Sequence, residues 1–138
     1  MTMHHAGLAD IVRRDPRFAY EAYEFMFEAL RFTQRIFDRV AGEETGEEPQ
    51  PHHHVTGPEL LEGIRQLAVR EFGLMARTVF RMWGINRTDD FGAMVFNLVE
   101  AKLMSKTDQD RPDDFHDVYD LDKALVQGYQ IRLEETES

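Results

Sequence analysis

The stretch from Leu74 to Met104 places the tightest limit on how this chain can fold. It reads as two helices joined by a corner, Gly84-Ile85-Asn86. Met75, Ala76, Val79, Phe80 and Trp83 recur at three- and four-residue intervals, so they share one helical face. Gly84 follows at once, and a glycine can take the left-handed conformation that ends a helix at little steric cost. Thr88 is placed to cap a second helix, with Asp89 and Asp90 in its first turn, where carboxylates face the positive end of the helix dipole. That helix, expected over Asp89 to Lys102, puts Phe91, Met94, Val95, Leu98 and Val99 on one face. Gly92, Ala93, Phe96, Asn97 and Glu100 fall on the other. This second face has small residues, one large aromatic and no Lys or Arg, whereas a solvated helix face usually carries more charge. Either the helix is buried on both sides or this face meets a partner.

The flanking chain is read as helical too. Residues 1–15 are expected to be flexible, or a short helix at most. A long helix follows from Arg17 to Val40. Ala22, Phe25, Met26, Ala29, Thr33, Ile36, Phe37 and Val40 form one stripe, and Tyr20, Tyr23, Phe27 and Leu30 a second, so it packs on more than one side. Residues 41–55 are Gly-, Pro- and Glu-rich and without period, which predicts a flexible loop. Thr56 and Glu59 then have capping-box spacing, with Val55 and Leu60 at the hydrophobic-staple positions. Leu60, Leu61, Ile64, Leu67, Ala68 and Phe72 follow on one face, and Gly73 ends or bends that helix. After a polar loop from Ser105, residues 115–131 fit helical spacing better than a weak alternation. Residues 133–138 are expected to fray.

At 138 residues the chain is expected to be one domain, long enough for a hydrophobic core. No apolar run approaches the ~20 residues that span a bilayer, and the start lacks the apolar stretch of a signal peptide. There is no Cys, which rules out disulfides and thiolate chemistry and suits the cytoplasm. The net charge of −10 is uneven. Residues 57–106 are near neutral, while 107–138 carry ten acidic residues against three basic. Acidic segments repel nucleic acid and anionic membranes.

Few residues are arranged for chemistry. His52, His53 and His54 are weak metal candidates: three adjacent imidazoles in a loop point different ways, and a structural zinc site needs four ligands in fixed geometry. Counting an EF-hand from Asp108 puts Asp113 at the glycine position and Tyr119 at position twelve, so the calcium pattern fails. Glu21, Glu24 and Glu28 with Arg31 and Arg35 read as ion pairing along a helix surface. His116 is a lone histidine among apolar residues. No phosphate loop, nucleophile elbow or kinase signature occurs. The central pair has the helix-turn-helix pattern, but Asp89, Asp90 and Glu100 have the wrong sign for a reading helix and only Asn97 suits a base edge.

The phrases HVTGPELLEGIR, FGLMARTVFRMWGI, TDDFGAMVFNLVEAKLMSKT and DDFHDVYDLDKAL, with a weaker RFAYEAYEFMFEAL, resemble a family of small bacterial proteins labelled after a Minf locus and frequent among planctomycete-type bacteria. The resemblance covers His54 to Leu125. It implies a single natural bacterial domain and carries over no activity and no catalytic residue.

The expectation is therefore an all-α single domain over 1–138. It is a compact bundle of four or five helices with a helix-turn-helix-like central pair and room for a small winged-helix-like hairpin after it. The expected function is a cytoplasmic, non-enzymatic protein-interaction or assembly module, with no catalytic residue and no cofactor. Its interaction face is Gly92, Ala93, Phe96 and Asn97, toward a protein partner or a second copy. A helix-turn-helix regulator of nucleic acid is the alternative, disfavoured by charge, and a metal-binding protein using the loop histidines is the next. No membrane association is expected.

Overall fold

In the computed structural model the described residues are 6–45, 55–105 and 111–125. Among them are five α-helices and no strand. The helices are α1 (Ala6–Arg14), α2 (Tyr20–Thr45), α3 (Gly57–Phe72), α4 (Ala76–Met82) and α5 (Thr88–Glu100). Short 3-10 turns occupy Gly73–Met75 and Pro112–Phe115, and residues 121–125 are helical again. The protein is an all-α bundle. The hairpin allowed for after the central pair is absent among the described residues; 3-10 and turn geometry stands there instead.

The longest interface joins α2 to α3. It is close because Gly63 of α3 has no side chain where it crosses Thr33 of α2. A Cβ built on Gly63 would overlap Thr33 Oγ1 and lie 2.9 Å from Thr33 Cβ. Thr33 is fully buried, and its hydroxyl is satisfied by donating to the Ala29 carbonyl at 2.6 Å. Around this crossing α2 buries Ala22, Phe25, Met26 and Ala29 on one side and Tyr23 and Phe27 on the other, as two apolar stripes require. The start of α3 has the expected capping box. Thr56 Oγ1 accepts the Glu59 N–H at 3.3 Å, and Glu59 Oε1 accepts the Thr56 N–H at 3.0 Å. Gly73 ends the helix at φ 55° and donates to the Val69 carbonyl.

An aromatic cluster ties α2, α3 and α4 together. Phe25 lies 5.7 Å from Phe72, 5.7 Å from Phe80 and 5.6 Å from Trp83, centroid to centroid, and Phe80 meets Phe91 of α5 at 5.5 Å. Tilted and edge-on rings at these distances are the favourable geometries. The corner after α4 docks on the chain before α2. Gly84 has φ 88°, and a Cβ there would overlap the Arg17 carbonyl oxygen. Ala19 N–H donates to the Trp83 carbonyl at 3.1 Å, and Ile85 turns inward with no exposure.

Residues 1–15, expected to be flexible or a short helix at most, hold a short helix, α1, which buries Leu8 and Ile11; four other expectations need correction. Two apolar residues three apart are enough to seat a nine-residue helix on the core, although the segment is polar on average. Helix α2 continues past Val40 to Thr45, into the expected 41–55 loop. Met75 is exposed and lies in the 3-10 turn, because Gly73 rotates the chain before α4 begins. Thr88 is not the cap of α5 but its first residue, and it is buried. The Asp90 carboxylate serves that end instead, accepting the N–H groups of Asn86 at 2.8 Å and Arg87 at 3.0 Å. Finally, Val95 and Val99 are only partly buried, while Phe91, Met94 and Leu98 carry the core face of α5. The tail 133–138 lies outside the described residues.

Candidate interaction groove

A groove of about 1150 Å³ runs between α2 and α5. Phe27, Leu30, Arg31 and Gln34 form its α2 wall and share one helical face, at i, i+3, i+4 and i+7. Ala93, Val95, Phe96, Val99 and Glu100 form its α5 wall, continued by Leu103 and Met104. The first turn of α3, with Val55, Gly57 and Leu60, lines one end, and the turn from Arg111 to His116 closes the other side. The chain turns into Leu103 because Lys102 takes φ 63°, so that the Leu103 N–H reaches back to the Leu98 carbonyl at 2.9 Å.

The wall at 112–118 is held on the first turn of α5 by four hydrogen bonds. Thr88 Oγ1 donates to the Phe115 carbonyl at 2.7 Å and accepts the Val118 N–H at 3.0 Å. Asp89 Oδ1 accepts the Asp117 N–H at 3.0 Å, and Asp89 Oδ2 lies 2.7 Å from His116 Nδ1. Phe115 packs over Gly92, where a Cβ would come within 2.9 Å of Phe115 Cβ. The His116 bond, followed by the Asp117 N–H, holds the Asp89 carboxyl down at about 2. In return the Asp89 carboxylate raises the imidazole above its ordinary value.

All four residues of the expected interaction face line the groove, and the fold engages them differently. Phe96 stands 62% exposed at the groove and Ala93 lies beside it, partly buried. Gly92 is met by the chain's own Phe115. Asn97 spends its amide N–H groups inside the chain, donating to Asp15 Oδ2 at 2.9 Å and to the phenol oxygen of buried Tyr23 at 3.1 Å. With Arg17 clamping the same carboxylate at 2.7 Å, the Asp15 carboxyl is held well below the usual range, chiefly by Arg17 and then, against its desolvation, by Asn97. Asn97 thus fastens α5 to α2 and to the chain before it.

The sequence reading missed Val55, Leu103 and Met104 as groove residues. Their polar neighbours hide any period, and they meet α5 only through tertiary turns. Phe27 and Leu30 were visible as the second stripe of α2, without a sign of what they face. His52, His53 and His54 lie outside the described residues. Among the described residues no three metal-capable side chains converge. The Asp89–His116 pair has the form of an oriented base. In the fold it serves as a latch for the wall. Among the described residues no helix is long and apolar enough to cross a membrane. No protein-family model, curated protein or solved structure matches the chain.

Proposed function

We propose that the chain is a non-enzymatic protein-interaction module of the cytoplasm, and that it receives an amphipathic helix of a partner protein in the groove between α2 and α5. The observation that carries this reading is Phe96, a large aromatic left 62% exposed beside an apolar groove of about 1150 Å³. Exposed apolar surface of this kind marks interaction sites on soluble proteins. Two walls of helical side chains, spaced by turns, suit the anchors of a third helix. The cytoplasmic placement rests on the absence of Cys. The nucleic-acid alternative is disfavoured because α5 carries Asp89, Asp90 and Glu100 and no Lys or Arg.

The test places a photo-crosslinking amino acid at Phe96, and separately at exposed Glu21 of α2, in cells of the source organism. A defined protein captured from position 96 and not from 21, whose binding is lost in Phe96→Glu while the melting temperature is kept, is the expected result. Equal capture from both positions, or binding untouched by Phe96→Glu, overturns the reading.

A further inference from the structure

Between Gly92 and Val99 every groove-lining residue of α5 is apolar except Asn97. Asn97 is half-buried and stands one turn beyond Ala93 on the same helical row, next to Phe96. Two partners fix the orientation of its amide. The Asp15 carboxylate, kept ionised by Arg17, can only accept, so the amide nitrogen is the atom turned toward it, at 2.9 Å. The same nitrogen donates its other proton to the Tyr23 phenol oxygen at 3.1 Å. Both donors are thus spent, and Asn97 Oδ1 accepts no hydrogen bond from the described residues. Turning the amide over would set that oxygen against a carboxylate. In an open groove Oδ1 is served by water. A helix laid along Ala93 and Phe96 takes that water away, and covering an acceptor without replacing its bond costs more than the bond itself contributes.

We infer that Asn97 determines which helices the groove accepts: the partner helix carries, among its apolar anchors, one uncharged hydrogen-bond donor, a side-chain amide or hydroxyl, that bonds to Asn97 Oδ1. This rests on the reading of the groove as a helix site and adds the chemistry of the partner's central residue. Charge narrows the choice of donor. A carboxylate brings no proton to Oδ1 at neutral pH. A lysine or arginine gains no anion, since Arg17 already holds the two Asp15 oxygens at 2.8 and 2.7 Å. Arg17 also lines the groove and repels a second cation. A wholly apolar helix leaves Oδ1 covered and unbonded. One polar position within an apolar seam is a known way for helices to fix register. A site with a fixed polar atom also rejects the analogue that lacks its mate far better than an apolar pocket rejects an extra methylene.

The probe is a phage-displayed library of amphipathic helical peptides with apolar anchors at i, i+3, i+4 and i+7. Every residue type is allowed at one central position of the apolar face, and selection is on the full wild-type chain. Selected peptides are expected to hold Gln, Asn, Ser or Thr at that position. Changing it to Leu in the synthetic peptide should weaken binding about tenfold or more, read by fluorescence anisotropy. In isotope-labelled protein the side-chain amide signals of Asn97 should shift when the Gln peptide binds and shift less with the Leu peptide. Selection of Lys or Glu at the centre overturns the inference. So does a Leu peptide that binds as tightly as the selected one, or a Gln peptide that leaves the Asn97 signals in place. If Phe96→Glu abolishes binding in those cases, the inference falls and the groove reading stands. A library that yields no binder dependent on Phe96 overturns both together.

Discussion

Gly63→Ala sets two effects of opposite sign against each other. In a helix interior alanine is favoured over glycine by about 1 kcal/mol, and Gly63 lies well inside α3. On propensity alone the variant would be more stable. At the crossing with α2, however, the new Cβ would overlap Thr33 Oγ1 and lie 2.9 Å from Thr33 Cβ. Overpacking of this kind costs roughly 1–3 kcal/mol. Turning the threonine aside would also break its buried hydrogen bond to the Ala29 carbonyl, a further loss of about 1 kcal/mol. The net expectation is a destabilisation of about 1–3 kcal/mol, or a fall in Tm of roughly 3–10 °C. Urea unfolding followed by circular dichroism measures it. The companion Thr33→Ala removes the hydroxyl, so the double variant should lose less than the sum of the two single losses. A Gly63→Ala protein as stable as the wild type would show that α2 and α3 do not cross this closely and would refute the packing argument.

Three further outcomes follow from the same geometry. Thr56→Ala should cost about 1 kcal/mol in chemical unfolding while Thr56→Asp stays near wild type, and equal losses would mean that Thr56 does not cap α3. Thr88→Val should cost about 1–3 kcal/mol, because the Phe115 carbonyl and Val118 N–H lose their shared hydroxyl; an unchanged midpoint in denaturant would show the wall is held otherwise. The Asp89–His116 pair fixes a pH window. The lowered Asp89 contributes stability above its unfolded value of about 4, lost as pH falls toward 2. The raised His116 contributes below its unfolded value of about 6.5, lost as pH rises through the folded one. Tm measured against pH should therefore gain most from the pair between about pH 4 and 6.5. Asp89→Asn should flatten that profile and lower the His116 titration seen by NMR, and an identical titration in the variant would disprove the pairing.

The elements legible in the sequence were those whose signals are local. The Thr56–Glu59 box could be read because both partners lie three residues apart and satisfy each other's backbone. Gly73 and Gly84 could be read as helix ends because their conformations follow from having no side chain. The two stripes of α2 announced burial on two sides for the same reason of period. Thr88 was misread because a threonine before two aspartates looks like a cap, whereas here its hydroxyl bonds to residues 27 and 30 positions further on. Gly63 gave no signal, since a glycine inside a helix shows its purpose only when the other helix is in place.

The candidate site divides along the same line. Sequence alone determined that one face of α5 is too small and too uncharged to be an ordinary solvated surface, because residue type and helical period together fix what each face carries. Only the tertiary structure decided what becomes of that face. Phe115 packs against Gly92, Asp15 and Tyr23 engage Asn97, and of the four groove-lining residues Phe96 is the one left well exposed. Those contacts join residues from 23 to 82 positions apart in the chain. Period and spacing determine which residues share a helical face, but only packing determines which of them is left exposed.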